Sequence, residues 1–231
     1  IIGPNGTKAQ IIGGGSATLV PYYESHPIEA FKSSLNENTL IQSSKGCHTY
    51  RYLPEINKSL TNEDGFLVEY FNVTENGNDF ISSKVLTGSK FWIFEGFAKD
   101  IISVDEKPNI LVKFSCTYTP NITGKHNFEI FAIGKSKLLI DETEVIDNWT
   151  NTSPGDAFFA HGTTSKRGGK VLKKNKTYKI EIQYKFEGNF PAIYIGCQPP
   201  DKIDLMDEAL KIAKEVEQVV LMVGTNSDWE T

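Results

Sequence analysis

From Asn109 to Trp149 the chain alternates between apolar and polar positions. Val112, Phe114, Cys116 and Tyr118 interleave with Lys113, Ser115, Thr117 and Thr119. That period of two belongs to a half-buried β-strand. Pro120–Gly124 breaks the pattern, and Phe128 and Ile130 restart it against Asn127 and Glu129. Leu138–Ile140 and Val145–Asp147 flank the polar residues Asp141–Glu144, which suit a hairpin loop. Upstream, Phe66–Phe71 reads as a strand and Phe91–Phe94 as a dense apolar run for a core. Downstream, Tyr178, Ile180, Ile182, Tyr184 and Phe186 alternate with Lys179, Glu181, Gln183 and Lys185. Ala192–Gly196 is expected to pair with that strand after a turn at Glu187–Asn189. Strands with one apolar face need a second layer. An antiparallel β-sandwich or barrel is therefore predicted for residues 54–200.

The flanks carry a different pattern. Ile1–Gly6 is a strand end entering a tight turn, and Gly13–Ala17 is a flexible loop. Pro27–Leu35 predicts a short helix with Pro27 in its first turn, and Leu40–Ser43 a further strand. Asp204 is a helix N-cap, and Met206, Ala209, Leu210, Ala213 and Val216 fall on one helical face. Val219–Val223 is short and continuously apolar, the pattern of a strand buried on both faces. The loop Thr225–Thr231 leaves its carboxyl end, where open α/β sheets place their sites. The order is α/β (1–53), β (54–200), α/β (201–231). The fold class predicted is mostly β, with a β domain inserted into part of an α/β domain.

Composition narrows the function. The chain has 231 residues, a net charge of −5 and no long basic run, so no nucleic-acid partner is expected. Lys170, Lys173, Lys174, Lys176 and Lys179 alternate with strand residues and read as a solvated face. No apolar run approaches the roughly 20 residues of a membrane-spanning helix, so no membrane partner is expected. The chain opens without Met inside a strand and ends in a loop, as a piece of a longer protein would. Cys47, Cys116 and Cys197 form neither a disulfide framework nor a zinc pattern. Buried free thiols are expected, and they favour the cytoplasm over secretion. Asn5, Asn57, Asn72, Asn121, Asn148, Asn151 and Asn175 head Asn-x-Ser/Thr sequons, open to glycosylation if the chain is secreted. The Gly13–Gly15 run lacks the Lys-Ser/Thr and the spacing of nucleotide loops. His26, His48, His126 and His161 show no metal-ligand spacing.

A family resemblance joins these parts. Ile2-Gly3-Pro4-Asn5, Gly13–Ala17, Pro21-Tyr22-Tyr23, Pro27–Ala30, Gly46-Cys47 and Val223–Glu230 are similar to the α/β-sandwich domain of glycoside hydrolase family 3 β-glucosidases. Glu69-Tyr70-Phe71, the strand through Phe114, Pro120-x-x-x-Gly124, Leu138-x-Ile140-Asp141, Val145–Trp149 and Gly155–Phe159 resemble the protective-antigen (PA-14) domain inserted into a subset of those enzymes. The wording is most like the yeast members.

The resemblance implies a retaining exo-β-glucosidase. Such enzymes use two carboxyl groups, a nucleophile and an acid/base, about 5–5.5 Å apart. It places the aspartate nucleophile in a barrel domain upstream of Ile1. It places the acid/base glutamate after Val223-Gly224, followed by Gly and then Asp-Arg. Glu230 is followed by Thr231 and fits that pattern poorly, so the acid/base is expected just beyond Thr231. Trp229 is a candidate to stack on a sugar or to anchor its loop, and Asp228 to brace it. Phe158 and Phe159 are consecutive, so a regular strand cannot bury both. In the family this loop reaches over the pocket, and one of the pair is expected to line the outer sugar subsite. The other reading is a core Phe in an irregular strand. The substrates implied are β-glucoside oligosaccharides, the partner is the rest of the parent enzyme, and no cofactor is implied. A competing reading is a carbohydrate-binding or adhesion module without catalysis. Adhesin relatives hold calcium through two adjacent Asp residues, but Ile133 and Gly134 stand there in this chain and offer no side-chain oxygen. A homo-oligomeric contact through the β domain also stays open.

Overall fold

The computed structural model describes residues 1–56, 60–92, 109–188 and 190–229, with Trp92 described by its backbone. It divides into two compact units, Leu53–Pro200 and Ile1–Tyr52 with Asp201–Thr231. Along the chain α1 (Pro27–Ser34) is followed by β1 (Phe66–Thr74), β2 (Gly77–Leu86), β3 (Lys90–Trp92), β4 (Ile110–Tyr118), β5 (Gly124–Ala132), β6 (Gly134–Ile140) and β7 (Thr143–Asn148). A single turn, α2 (Ala157–Ala160), then precedes β8 (Lys166–Leu172), β9 (Tyr178–Phe186), β10 (Ala192–Gln198) and α3 (Leu205–Glu215). The chain is mostly β, as the alternation predicts.

The Leu53–Pro200 unit holds two antiparallel sheets, ordered β2-β1-β4-β9-β6-β7 and β3-β10-β5-β8. It is an open sandwich, not a closed barrel. Between the sheets, Tyr70, Phe114, Leu138, Ile182 and Tyr184 meet Phe91, Phe128, Ile130, Ile193 and Ile195. In the six-stranded sheet the period of two holds. Phe114 and Ile182 are buried opposite each other, while the neighbouring Lys113 and Gln183 point the other way. Of the Phe91–Phe94 run, Phe91 is in the core and residues 93–94 lie outside the described residues.

The four-stranded sheet departs from the sequence reading. Ala192–Gly196 does not pair with β9. It starts β10, which pairs with β5 and β3, while β9 pairs with β4 and β6. The burial explains this. β9 alternates and suits a half-solvated sheet, whereas Ala192–Cys197 is buried without a break and needs cover on both faces. The Tyr184 hydroxyl stitches the crossover, accepting from the Ala192 N–H at 3.2 Å and donating to the Ile133 carbonyl at 2.9 Å. Glu129 also departs from its expected outward position. It is fully buried, accepting from the Leu53 N–H and from Arg167 Nε. The hairpin loop is shorter than the polar run: Asp141 (φ 47°) and Glu142 (φ 62°) make a two-residue turn, and Thr143 and Glu144 belong to β7.

In the unit formed by Ile1–Tyr52 and Asp201–Thr231, Ile2 bridges in parallel to both Ser44 and Leu221. Leu40–Ser43 forms no strand, and Val219–Val223 contributes only that bridge. The latter is not buried on both faces, with Leu221 64% and Val223 76% exposed. Among the described residues it has a neighbour only on the Ile2 side. Asp204 Oδ1 caps α3, accepting from Met206 N and Asp207 N, both at 2.9 Å. The inward stripe of α3 runs through Leu205, Glu208, Ala209, Ile212, Ala213 and Val216. Of the predicted face, Ala209, Ala213 and Val216 turn inward, whereas Met206 and Leu210 are exposed and Leu205 and Ile212 lie on the stripe instead. Cys116 and Cys197 are buried, and their burial pushes both thiols up to about 12, but Cys47 is exposed.

His126 is fully buried against Tyr118, with ring centroids 5.5 Å apart. Its Nδ1 donates to the Gly124 carbonyl at 3.1 Å, and Nε2 meets no acceptor among the described residues. Desolvation lowers its pKa below the ordinary 6.5, and the Gly124 bond opposes this only in part. The unfolded chain therefore binds the proton first as pH falls. The stability that neutral His126 contributes is complete above about 6.5 and is lost below it. Melting of the chain between pH 7.5 and 5 checks this: the fall in Tm on acidification is expected to be smaller in His126→Phe than in the native chain.

Candidate functional site: an aromatic turn and a clamped loop

The first candidate site is the segment Pro154–Gly162 of the β-sandwich. Its turn winds left-handed through three successive non-glycine residues: Phe158 (φ 52°), Phe159 (φ 58°) and Ala160 (φ 63°). Each such residue costs roughly 1–2 kcal/mol, so the turn stores roughly 3–6 kcal/mol. Hydrogen bonds close its neck. Gly155 N donates to Gly162 O and Gly162 N to Ala157 O, both at 2.9 Å, and Thr164 N donates to Ser153 O at 2.8 Å. The two glycines permit the approach. A Cβ on Gly155 would lie 2.5 Å from Thr164 N, and one on Gly162 would lie 3.0 Å from Ala157 O.

Below the neck a buried polar cluster ties the turn to both sheets. Asn148 Nδ2 donates to Ser136 Oγ at 3.0 Å and to Thr163 Oγ1 at 2.9 Å. Thr163 Oγ1 also accepts from Ala132 N, and Thr163 N donates to Ala132 O. Above the neck the two phenylalanines separate. Phe158 is buried on Phe131, centroids 5.4 Å apart, and Phe131 stacks on Tyr194 at 4.7 Å. Phe159 is 69% exposed. Beside the turn, exposed His161 meets half-buried Phe190 edge-on at 5.6 Å. An aromatic face held on a rigid base can contact the C–H groups of a sugar, but it supplies no acid, base or nucleophile.

The turn is neither an irregular strand nor a free loop. Two adjacent aromatics hinted that something irregular lay here, yet no glycine or asparagine at 158–160 announced left-handed backbone. The Asn148 cluster carried a weak signal, a polar residue at the inward position two after Ile146, though Asn148 read as a sequon. Fully buried, its amide nitrogen is closed to a glycan in the folded chain. Ile133 is buried and Gly134 sits at φ 114°, where a Cβ would lie 2.3 Å from Lys185 O. An Asp pair would not fit there. Asp141 Oδ1 accepts from Lys179 N at 2.9 Å, and Asp147 Oδ1 accepts from Trp149 N and Thr150 N. These backbone bonds, Thr150 first, hold the Asp147 carboxyl below its usual range.

The second candidate site, in the other unit, is the loop Thr225–Trp229. Ser227–Trp229 is a turn of 3-10 helix in which Asn226 Nδ2 donates to Asp228 Oδ2 at 2.7 Å. Trp229 is 51% exposed, and its Nε1 donates to the Thr49 carbonyl at 2.7 Å. Glu230 lies outside the described residues.

Three comparisons bear on these sites. The PA14 domain family matches residues 93–189. The whole chain is similar to the probable β-glucosidase I of Aspergillus terreus, 29% identical over 248 residues and covering 29% of that protein. It is also similar to the probable β-glucosidase I of Aspergillus flavus, 30% identical over 253 residues and again covering 29% of the relative. The chain thus spans less than a third of the curated relatives it matches. Among solved structures, β-glucosidase from Kluyveromyces marxianus superposes on all of this chain with a TM-score of 0.71 at 21% identity, over 29% of its own length. The same enzyme in complex with glucose gives 0.69 at 20% identity over 99% of this chain and 28% of its own. These likenesses show the fold. The resemblance read from the sequence holds, to β-glucosidases across the whole chain and to the protective-antigen domain over residues 93–189.

The separation of the two phenylalanines is checked by melting. Phe158→Ala opens a cavity over Phe131 and is expected to lower stability by about 3 kcal/mol. Phe159→Ala is expected to leave stability within about 0.5 kcal/mol, as exposed substitutions do.

Proposed function

We propose, for a chain that carries a PA14 domain within a β-glucosidase-like stretch, that it is part of a retaining exo-β-glucosidase whose β-sandwich shapes the pocket entrance. The chain is a glycosidase-associated module, and its likeness to β-glucosidases runs from end to end. The observation that carries the finer reading is the aromatic turn, which exposes Phe159 while Phe158 is fixed beneath it. Backbone strain of this kind collects where a side chain must be aimed.

In this reading residues 54–200 are a domain inserted into an α/β-sandwich domain formed by 1–53 and 201–231. The nucleophilic aspartate lies in a barrel domain before Ile1, and the acid/base glutamate follows Thr231. Terminal β-glucosyl units of short oligosaccharides and aryl glucosides are cleaved through a covalent glucosyl-enzyme. Phe159 offers an apolar wall at the outer sugar subsite. Its role is steric, admitting short substrates and rejecting long or branched ones. Trp229 belongs to the loop that leads to the acid/base, and Glu230 is a carboxylate of that loop.

Two measurements test this. In the full-length parent, Phe159→Ala is expected to change the ratio of kcat/KM for a β-glucosyl disaccharide and trisaccharide by about 2–10-fold, the range of one aromatic contact. An unchanged ratio in both Phe159→Ala and Phe158→Ala would falsify the pocket role. The purified 231-residue chain, lacking the nucleophile, is expected to hydrolyse no β-glucoside. If it binds β-glucosides with micromolar affinity on its own, a binding module is the better description.

A further inference from the structure

The loop Thr225–Trp229 is held at three points. Asn5 Nδ2 donates to the Thr225 carbonyl at 3.2 Å. Gly14 packs so closely on the loop that a Cβ there would lie 2.1 Å from Ser227 O. Trp229 Nε1 donates to Thr49 O at 2.7 Å, across 180 positions of sequence. The first two points hold the start and middle of the loop. Among the described residues, the indole bond is what holds Trp229 to a distant segment.

The segment that receives the bond is itself braced. His48, next to Thr49, donates from Nε2 to the Asp201 carboxylate at 2.9–3.0 Å. Its Nδ1 accepts from Lys45 Nζ at 3.0 Å, and its ring stacks on Tyr50 at 4.9 Å. Asp201 is the first residue of this unit after the chain returns from Pro200. The outgoing and returning stretches are thus clipped together by His48, and Trp229 is tied to that clip.

We infer that Trp229 is a positioning residue, whose indole N–H bond to the Thr49 carbonyl sets the direction in which the chain leaves the loop toward the acid/base glutamate. This rests on the glucosidase reading above. It assigns Trp229 a role that sugar stacking does not require, since stacking uses the ring face and leaves the N–H idle. A general acid must reach the glycosidic oxygen to within hydrogen-bond distance, so a small shift in the loop costs rate. The cost falls on leaving groups that need a proton. A sugar or alkyl alkoxide does, whereas 2,4-dinitrophenolate departs unassisted.

The test is leaving-group dependence in the full-length parent enzyme. Trp229→Phe keeps the aromatic face and removes only the donor. It is expected to lower kcat/KM for a β-glucosyl disaccharide by roughly three- to tenfold, the range of one lost hydrogen bond. The value for 2,4-dinitrophenyl β-glucoside is expected to stay within about twofold, with Tm unchanged. Equal values for Trp229→Phe and the native enzyme on both substrates would overturn the inference. So would an equal loss on both, which is the mark of a stacking or purely structural residue. If the native parent hydrolyses neither substrate, the glucosidase reading itself fails, and this inference with it.

Discussion

A sheet whose central strands are buried on both faces must be covered twice, and the β-sandwich is built around that requirement. β10 is buried at every position from Ala192 to Cys197, and β5 at every position from Phe128 to Ala132. The six-stranded sheet covers one face. The other is covered by irregular chain. Phe158 lies on Phe131, which stacks on Tyr194, and Leu53 lies so close to Gly196 that a Cβ there would sit 2.6 Å from the Leu53 carbonyl. Buried irregular backbone brings its own polar groups, which must be bonded in place. Glu129 answers for Leu53 N, the Tyr194 hydroxyl for Leu53 O, and Thr163 for both backbone groups of Ala132. The candidate site is therefore no appendage. The turn that exposes Phe159 is also part of the wall that keeps β5 and β10 dry.

How much of this could be read from the chain follows from what local pattern encodes. β4 and β9 lie in a sheet with one wet face, and their alternation exposed them at once. β10 reads Ala-Ile-Tyr-Ile, which says "buried" but not beside which strand, and adjacency in sequence pointed to the wrong sheet. The capping role of Asp204 was legible because a cap is local, whereas the α3 stripe was legible only in part, because Met206 and Leu210 are apolar yet exposed. The ties that fix both candidate sites were invisible. Asn148 to Thr163 and Trp229 to Thr49 join residues whose separation carries no period. The names Phe158, Phe159 and Trp229 came from pattern and resemblance, while what each one touches came from the folded chain.

The exposed apolar residues of the α/β unit follow the same logic in reverse. Ile2 is flanked on both sides by parallel neighbours: its own N–H and carbonyl bond to Val220 and Met222, while Ser44 bonds to the adjoining Ile1 carbonyl and Gly3 N–H. Among the described residues Leu221 is bridged on one side only, and Leu221 and Val223 stay exposed. A continuously apolar strand is costly to leave in that state, at about 25 cal/mol for each Å² of apolar surface. Its sequence suits a sheet with further neighbours and cover, which agrees with a chain that spans 29% of its relatives.

The magnitudes show what holds the aromatic turn. Left-handed backbone at three residues costs roughly 3–6 kcal/mol. Burying the Phe158 side chain returns about 1.5–3 kcal/mol, which does not cover it. The neck bonds at Gly155, Gly162, Thr163 and Thr164 add about 0.5–1.5 kcal/mol each, and with them the turn is stable. Phe158 thus anchors a turn that the neck maintains, and the orientation of Phe159 depends on both. Under the proposed role, a ring held this way would lose little freedom when a ligand met it, so most of the contact energy would survive as selectivity. The same ring on a mobile loop would adapt to long and short substrates alike. In the proposed pocket role, rigidity more than aromatic character would let Phe159 discriminate between them.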